Sequence, residues 1–140
     1  MPHTAPAQWR EQLQYLKILT TTLMAVLPQG HPLADKPQLY IDDLSGEDYI
    51  QLGNNPHRHI SLTKPILYVN RSVMAIDLVR RHMGVSIISS AASQNLQTPG
   101  VVFKEIADSQ EFDISLVYLK SREESQELRM LLDLFRRITP

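Results

Sequence analysis

Residues 66–88 constrain the fold more than any other stretch of the chain. Ile66-Leu67-Tyr68-Val69 is β-branched and aromatic enough for a buried strand, and Asn70-Arg71-Ser72 then offers N-cap chemistry for a helix. In that helix Val73, Ile76, Val79 and Met83 recur at three- and four-residue steps, which predicts one core-facing side. Gly84 stops the helix, and Val85-Ser86-Ile87-Ile88 follows as a second strand. Strand, helix, glycine, strand is a βαβ unit, and its crossover sets two parallel strands in one sheet.

The flanking sequence adds further elements. Trp9, Leu13, Leu16 and Leu19 have helix-like spacing, whereas Thr20-Thr21-Thr22 and the run Leu23–Leu27 favour extended chain, so a short helix or coil followed by a strand is predicted. Pro28 to Pro37 carries three prolines and one glycine and reads as a crossover loop. Ile41–Gly46 has the acidic start and glycine stop of one helical turn, Tyr49–Leu52 is a short strand, and Gly53-Asn54-Asn55-Pro56 is a turn signal. Ser89–Ser93 opens a second short helix that Thr98-Pro99-Gly100 ends, and Val101–Ile106 and Ile114–Leu119 are two more strands. A capping-box pattern, Ser121-x-x-Glu124, precedes a last helix whose stripe is Leu128, Leu131, Leu132, Phe135 and Ile138. Alternating strands and helices give the class α/β, a mixed sheet with flanking helices.

Composition excludes several functions. With 14 Lys+Arg against 15 Asp+Glu, the chain has no basic footprint for duplex DNA. Without cysteine it has no disulfide, thiolate zinc site or cysteine nucleophile. The longest apolar run, Leu23–Pro28, is far too short to cross a bilayer, and the first residues lack a signal-peptide pattern, so no membrane partner and a cytoplasmic location are expected. His57-Arg58-His59 places two imidazoles at i and i+2 with no third ligand, so no metal site is expected, and His31 is read as a structural turn residue. The acidic pairs Asp42-Asp43, Glu47-Asp48 and Glu123-Glu124 fit helix termini, and the serines from Ser86 to Ser93 lack a nucleophile-elbow frame. No catalytic residues, no cofactor and no enzyme activity are expected.

Four strings in order resemble one family. Leu23-Met24-Ala25-Val26-Leu27-Pro28-Gln29-Gly30-His31-Pro32-Leu33-Ala34 is similar to the strand and crossover of LysR-type transcriptional regulators. Ile41–Ile50, Ser72–Ile88 and Pro99–Ile106 with the closing strand and helix resemble the family's later segments, over about Leu16 to Arg137 in all. The resemblance implies a fold like that of type II periplasmic binding proteins: two α/β subdomains bridged by two strands, here Leu23–Leu27 and Val101–Ile106, around a small-molecule effector. It also implies an incomplete, truncated effector-binding domain, with no winged helix-turn-helix or linker helix. Residues 9–28 and 100–140 would be the remnant of the first subdomain, and residues 29–99 the second.

The resemblance and the strand-end rule for α/β folds together give the candidate site. Gly53 and Asn54 follow one strand, and Asn70, Arg71 and Ser72 follow another, so these five are expected to contact the effector, with Ser72 offering a hydroxyl and Arg71 a charge. The competing reading is that Ser72 only caps its helix and Arg71 is solvated. The expected function is effector sensing by a regulator's domain that does not bind DNA itself. Its expected partners are a small anionic or aromatic metabolite and further copies of the chain. The alternative is a homo- or hetero-oligomerisation module that modulates a full-length regulator without binding a ligand.

Overall fold

The computed structural model describes residues 6–53 and 64–139. In chain order these form α1 (Ala7–Arg10), β1 (Leu13–Thr21), β2 (Leu23–Pro28), β3 (Tyr49–Leu52), β4 (Leu67–Val69), α2 (Ser72–Arg80), β5 (Val85–Ser89), α3 (Ser90–Asn95), β6 (Val101–Glu105), β7 (Phe112–Leu119) and α4 (Gln126–Ile138). Single 3-10 turns stand at Pro32–Asp35, Ile41–Leu44 and Lys120–Arg122. The chain divides into two compact units, Thr22–Gln110 and the segments that flank it.

The larger unit is built on a five-stranded sheet of order β4-β3-β5-β2-β6. β3 runs parallel to both β4 and β5, so the strands of the expected βαβ unit share one sheet with β3 between them. β2 is antiparallel to β5 and to β6, which makes the sheet mixed. The two expected bridging strands lie side by side, with Met24 opposite Glu105 and Pro28 opposite Val101. The core joins Val26, Ile50, Val69 and Ile88 of the sheet to Ile76 and Val79 of α2. Outside it, the helical turn at Ile41–Leu44 is held by Asp43, whose carboxylate takes Lys36 Nζ at 2.6 Å and the Tyr40 N–H at 2.8 Å. The Lys36 hydrogen bond, followed by that of Tyr40, keeps the Asp43 carboxyl below its ordinary value.

Two expectations for α2 need correction. The helix buries Ala75, Ile76 and Val79, but Val73 and Met83 are exposed. Val73 lies roughly a third of a turn from the buried face at 3.6 residues per turn, and Met83 lies beyond the last helical residue. Gly84 is also not the helix stop. The helix ends with His82 in the left-handed region at φ 59°, where the His82 N–H bonds Val79 O at 2.9 Å and the Met83 N–H bonds Leu78 O at 3.1 Å. These two bonds are the Schellman pattern with histidine in glycine's usual place. Gly84 instead gives room for the backbone that enters β3: a Cβ there would stand 2.5 Å from Asp48 O.

The smaller unit pairs β1 with β7 antiparallel, from Leu13 opposite Leu119 to Thr21 opposite Phe112. The helix or coil expected up to Leu19 is therefore limited to α1, and residues 13–19 are strand. The register shifts between Lys17 and Leu19, so Leu16 pairs with Leu116 and Leu19 with Ile114. One bulged residue lets leucines three apart share a face, which imitates helical spacing in the sequence.

The capping box expected at Ser121 is also displaced, because Ser121 belongs to the 3-10 turn and Ser125 caps α4, its Oγ accepting the Leu128 N–H at 3.4 Å. Replacing Ser125 by alanine should destabilise α4 by about 1 kcal/mol, whereas Ser121→Ala should change stability by less than about 0.5 kcal/mol. Thermal unfolding followed by circular dichroism separates the two, and equal effects would contradict the cap assignment. Along α4 only Leu132 of the expected stripe is buried. Leu128 and Phe135 are half-buried, and Leu131 and Ile138 are exposed.

Candidate effector-binding edge

Parallel register collects loops at one end of a sheet, and here it does so for the expected site. Leu52 stands opposite Val69, and the Gly53 N–H donates to Val69 O at 2.6 Å, so Gly53 lies beside Asn70 where β3 and β4 both end. Glycine suits this approach, since a Cβ would stand 3.4 Å from the same carbonyl. Asn54 lies outside the described residues. Asn70 and Arg71 are exposed and Ser72 is half-buried.

The entry to α2 differs from the expected cap. Arg71 takes the N-cap position with extended geometry, and no side chain caps the helix. Ser72 is the first helical residue, so its hydroxyl does not serve as the cap. Among the described residues the Arg71 guanidinium has no ion-pair partner. At the other end of α2 the cations are engaged: Arg80 and Arg81 both bond Asp77, the latter at 3.0 Å. The Arg80 hydrogen bond, then that of Arg81, holds the Asp77 carboxyl below its usual value.

Three residues reach the same edge that sequence reasoning did not place there. β5 is parallel to β3, and β2 begins opposite its end, with Leu23 paired to Ser89. The Thr22 N–H donates to Ser90 Oγ at 3.2 Å and the Ser90 N–H to Thr22 O at 2.8 Å, while Ser89 Oγ accepts the Ala92 N–H at 3.1 Å. Beside them opens a concavity of about 530 Å³ lined in part by Ser93, Gln94, Gln97 and Glu105. The signal that would have found Thr22, Ser89 and Ser90 is strand register, which residue type alone does not reveal.

His31 has the structural role expected of it. Its Nδ1 accepts the Leu33 N–H at 3.1 Å, and its Nε2 lies 3.1 Å from Glu47 Oε2. His57, Arg58 and His59 lie outside the described residues. Among the described residues no group of three His, Asp or Glu side chains could hold a metal ion, and no helix is long and apolar enough to cross a membrane.

The family model described as LysR substrate binding domain matches residues 4–139. The chain belongs to this family. The LysR substrate-binding domain seen here is 26% identical over 111 residues to the transcriptional activator protein LysR of Escherichia coli strain K12, an alignment covering 72% of this chain and 36% of that protein. It thus spans about a third of the length of that curated relative. Among solved structures, HinK, a LysR family transcriptional regulator from Pseudomonas aeruginosa, is similar with a TM-score of 0.74 at 21% identity, covering 91% of this chain and 49% of the other. The Synechocystis PCC6803 CcmR regulatory domain in complex with 2-PG gives a TM-score of 0.77 at 19% identity, covering 91% of this chain and 67% of that domain. The periplasmic-binding-protein-like α/β fold implied by the resemblance is therefore the fold of this LysR substrate-binding domain; of the relatives named, LysR is a transcriptional activator and HinK a transcriptional regulator.

Proposed function

We propose that this LysR substrate-binding domain senses a small anionic or aromatic metabolite at the edge where Gly53 meets Asn70, Arg71 and Ser72, with Asn54, the next residue in the sequence after Gly53, as a further contact. The observation that carries this reading is the 2.6 Å bond from the Gly53 N–H to Val69 O, which brings the two strand-end loops together. The first turn of α2 supports it: no side chain caps the helix, and its exposed N-terminal backbone groups favour negative charge beside the Arg71 guanidinium. That the CcmR regulatory domain, a protein of the same fold, was solved in complex with 2-PG supports a ligand-binding role for the fold. Binding is the role of this domain in cytoplasmic transcription regulation, with DNA contacts left to other parts of a regulator.

A thermal-shift series with small carboxylates and aromatic acids tests the proposal. A ligand at a hundred times its Kd should stabilise the domain by about 2.7 kcal/mol. Arg71→Ala should weaken binding about tenfold, as expected for loss of a charge-assisted hydrogen bond, while leaving the melting temperature of the ligand-free domain unchanged. Stabilisation by none of the acids, or the same affinity with Arg71→Ala, would sink this reading.

A further inference from the structure

We propose that His31 is a proton-operated latch on the crossover turn Pro32–Asp35: neutral, it closes the turn, and protonated, it releases the Leu33 N–H while keeping its hold on Glu47. The imidazole stands at the N-cap of the turn with extended backbone geometry, and its side chain is only 15% exposed. Its two nitrogens make opposite demands. Nδ1 accepts the Leu33 N–H at 3.1 Å, and Nε2 lies 3.1 Å from Glu47 Oε2. An imidazole nitrogen accepts an N–H only when it carries no proton, and bonds an ionised carboxylate only when it carries one. Both contacts therefore exist together in one form of the ring, the neutral Nε2–H tautomer.

A further proton has one place to go. It binds Nδ1, where it faces the Leu33 N–H and ends that bond, whereas the Nε2–H bond to Glu47 becomes charge-assisted. Loss and gain oppose each other, so the turn opens locally while His31 stays fastened to Glu47, just before β3. The turn is also held by the Ala34 N–H on His31 O at 3.0 Å, the Lys36 N–H on Leu33 O at 3.4 Å, and Lys104 Nζ of β6, which donates to Ala34 O at 3.1 Å. Of the other charged groups on these segments, Lys36 bonds Asp43 at 2.6 Å, Asp35 lies in the turn itself, and Asp48 and Glu105 are chain neighbours of Glu47 and Lys104. Among the described residues the carboxylate at ion-pair distance from the ring is that of Glu47. All these residues belong to the Thr22–Gln110 unit, so the latch is internal to it. The proton thus sets how firmly the chain leaving β2 is held.

Nuclear magnetic resonance of the 15N-labelled 140-residue chain tests this across about pH 8 to 5, where imidazoles ordinarily titrate. At the upper end the ring nitrogens of His31 should report the Nε2–H tautomer. As the ring takes its proton, the Leu33 amide resonance should move with the same midpoint. Its exchange protection, corrected for the intrinsic rate at each pH, should fall about tenfold, as for one lost hydrogen bond. The Val85 amide, bonded to Asp48 O at 2.8 Å, should keep its protection and so show that the opening is local. His31→Asn replaces Nδ1 by an oxygen that caps without titrating, and should keep Leu33 protected at both ends of the range. An Nδ1–H tautomer at the upper end, a ring that takes no proton over the range, a Leu33 amide that ignores the titration or opens only together with Val85, or a Leu33 amide as pH-sensitive in His31→Asn as in the native chain would overturn the inference.

Discussion

Replacing Gly84 by alanine should cost the domain about 3 kcal/mol, the upper end of the range for a clash in a packed site that has no room to relax. A typical domain has only about 5–15 kcal/mol in total, so the variant is expected to be largely unfolded under mild urea. The cause is local. Gly84 has φ 155°, and an added Cβ would lie 2.5 Å from Asp48 O and 3.2 Å from Asp48 C. Those are backbone atoms, so no rotamer change relieves the contact. The same Asp48 carbonyl accepts the Val85 N–H at 2.8 Å, immediately before the pairing of Tyr49 with Val85. Pushing it away opens the junction of β3 and β5 at its first rung. Gly46→Ala is the control, since nothing stands within 4 Å of its added Cβ. Urea denaturation should separate the two variants clearly, and a loss below about 1 kcal/mol for Gly84→Ala would mean that β3 and β5 approach less closely than the structure shows.

The second large effect is expected at Ile50. Its side chain is fully buried between α2 and the sheet, in the cluster with Val26, Val69, Ile76, Val79 and Ile88. Truncation to alanine removes three carbons and leaves a cavity, with an expected cost of about 2–5 kcal/mol, while Ile50→Val should cost about 0.5–1.5 kcal/mol. The Ile50 main chain is held independently, because its carbonyl accepts the Ser86 hydroxyl at 2.7 Å. The loss should therefore come from packing rather than from strand separation. Denaturant midpoints with unchanged slopes would support that reading, and equal costs for the valine and alanine variants would contradict it. Because β3 leads directly into Gly53, the alanine variant should also loosen the proposed effector edge.

The βαβ core was legible because its signals are local and agree: β-branched strands, a helical repeat and a glycine between them. The adjacency of β2 and β6 was legible only through resemblance, since no local feature of Val101–Glu105 says which strand lies beside it. Irregular elements were not legible. One bulged residue near Ile18 disguised β1 as a helix, and a 3-10 turn at Lys120–Arg122 moved the cap of α4 from Ser121 to Ser125. Gly84 was read by its usual role in helix termination, although the space it leaves for Asp48 is a tertiary requirement. At the candidate edge, Gly53, Asn70, Arg71 and Ser72 followed from the rule that strand ends carry loops. Thr22 and Ser90 depend on the register of β2 against β5, which forms across 68 positions of sequence and leaves no mark on either residue.

The way the larger unit closes on itself bears on how the chain can reach its native state. The Leu23 N–H donates to Ser109 Oγ at 2.8 Å and the Ile106 N–H to Leu23 O at 3.4 Å, so this long excursion departs and returns at one place. Once it has condensed, the strands on either side are tethered at neighbouring points, and β1 and β7 can zip together from Thr21 and Phe112 outward. The entropy of joining distant stretches is then met once, by the segment with the larger core. The hairpin-like pair inherits a short leash in place of a long one.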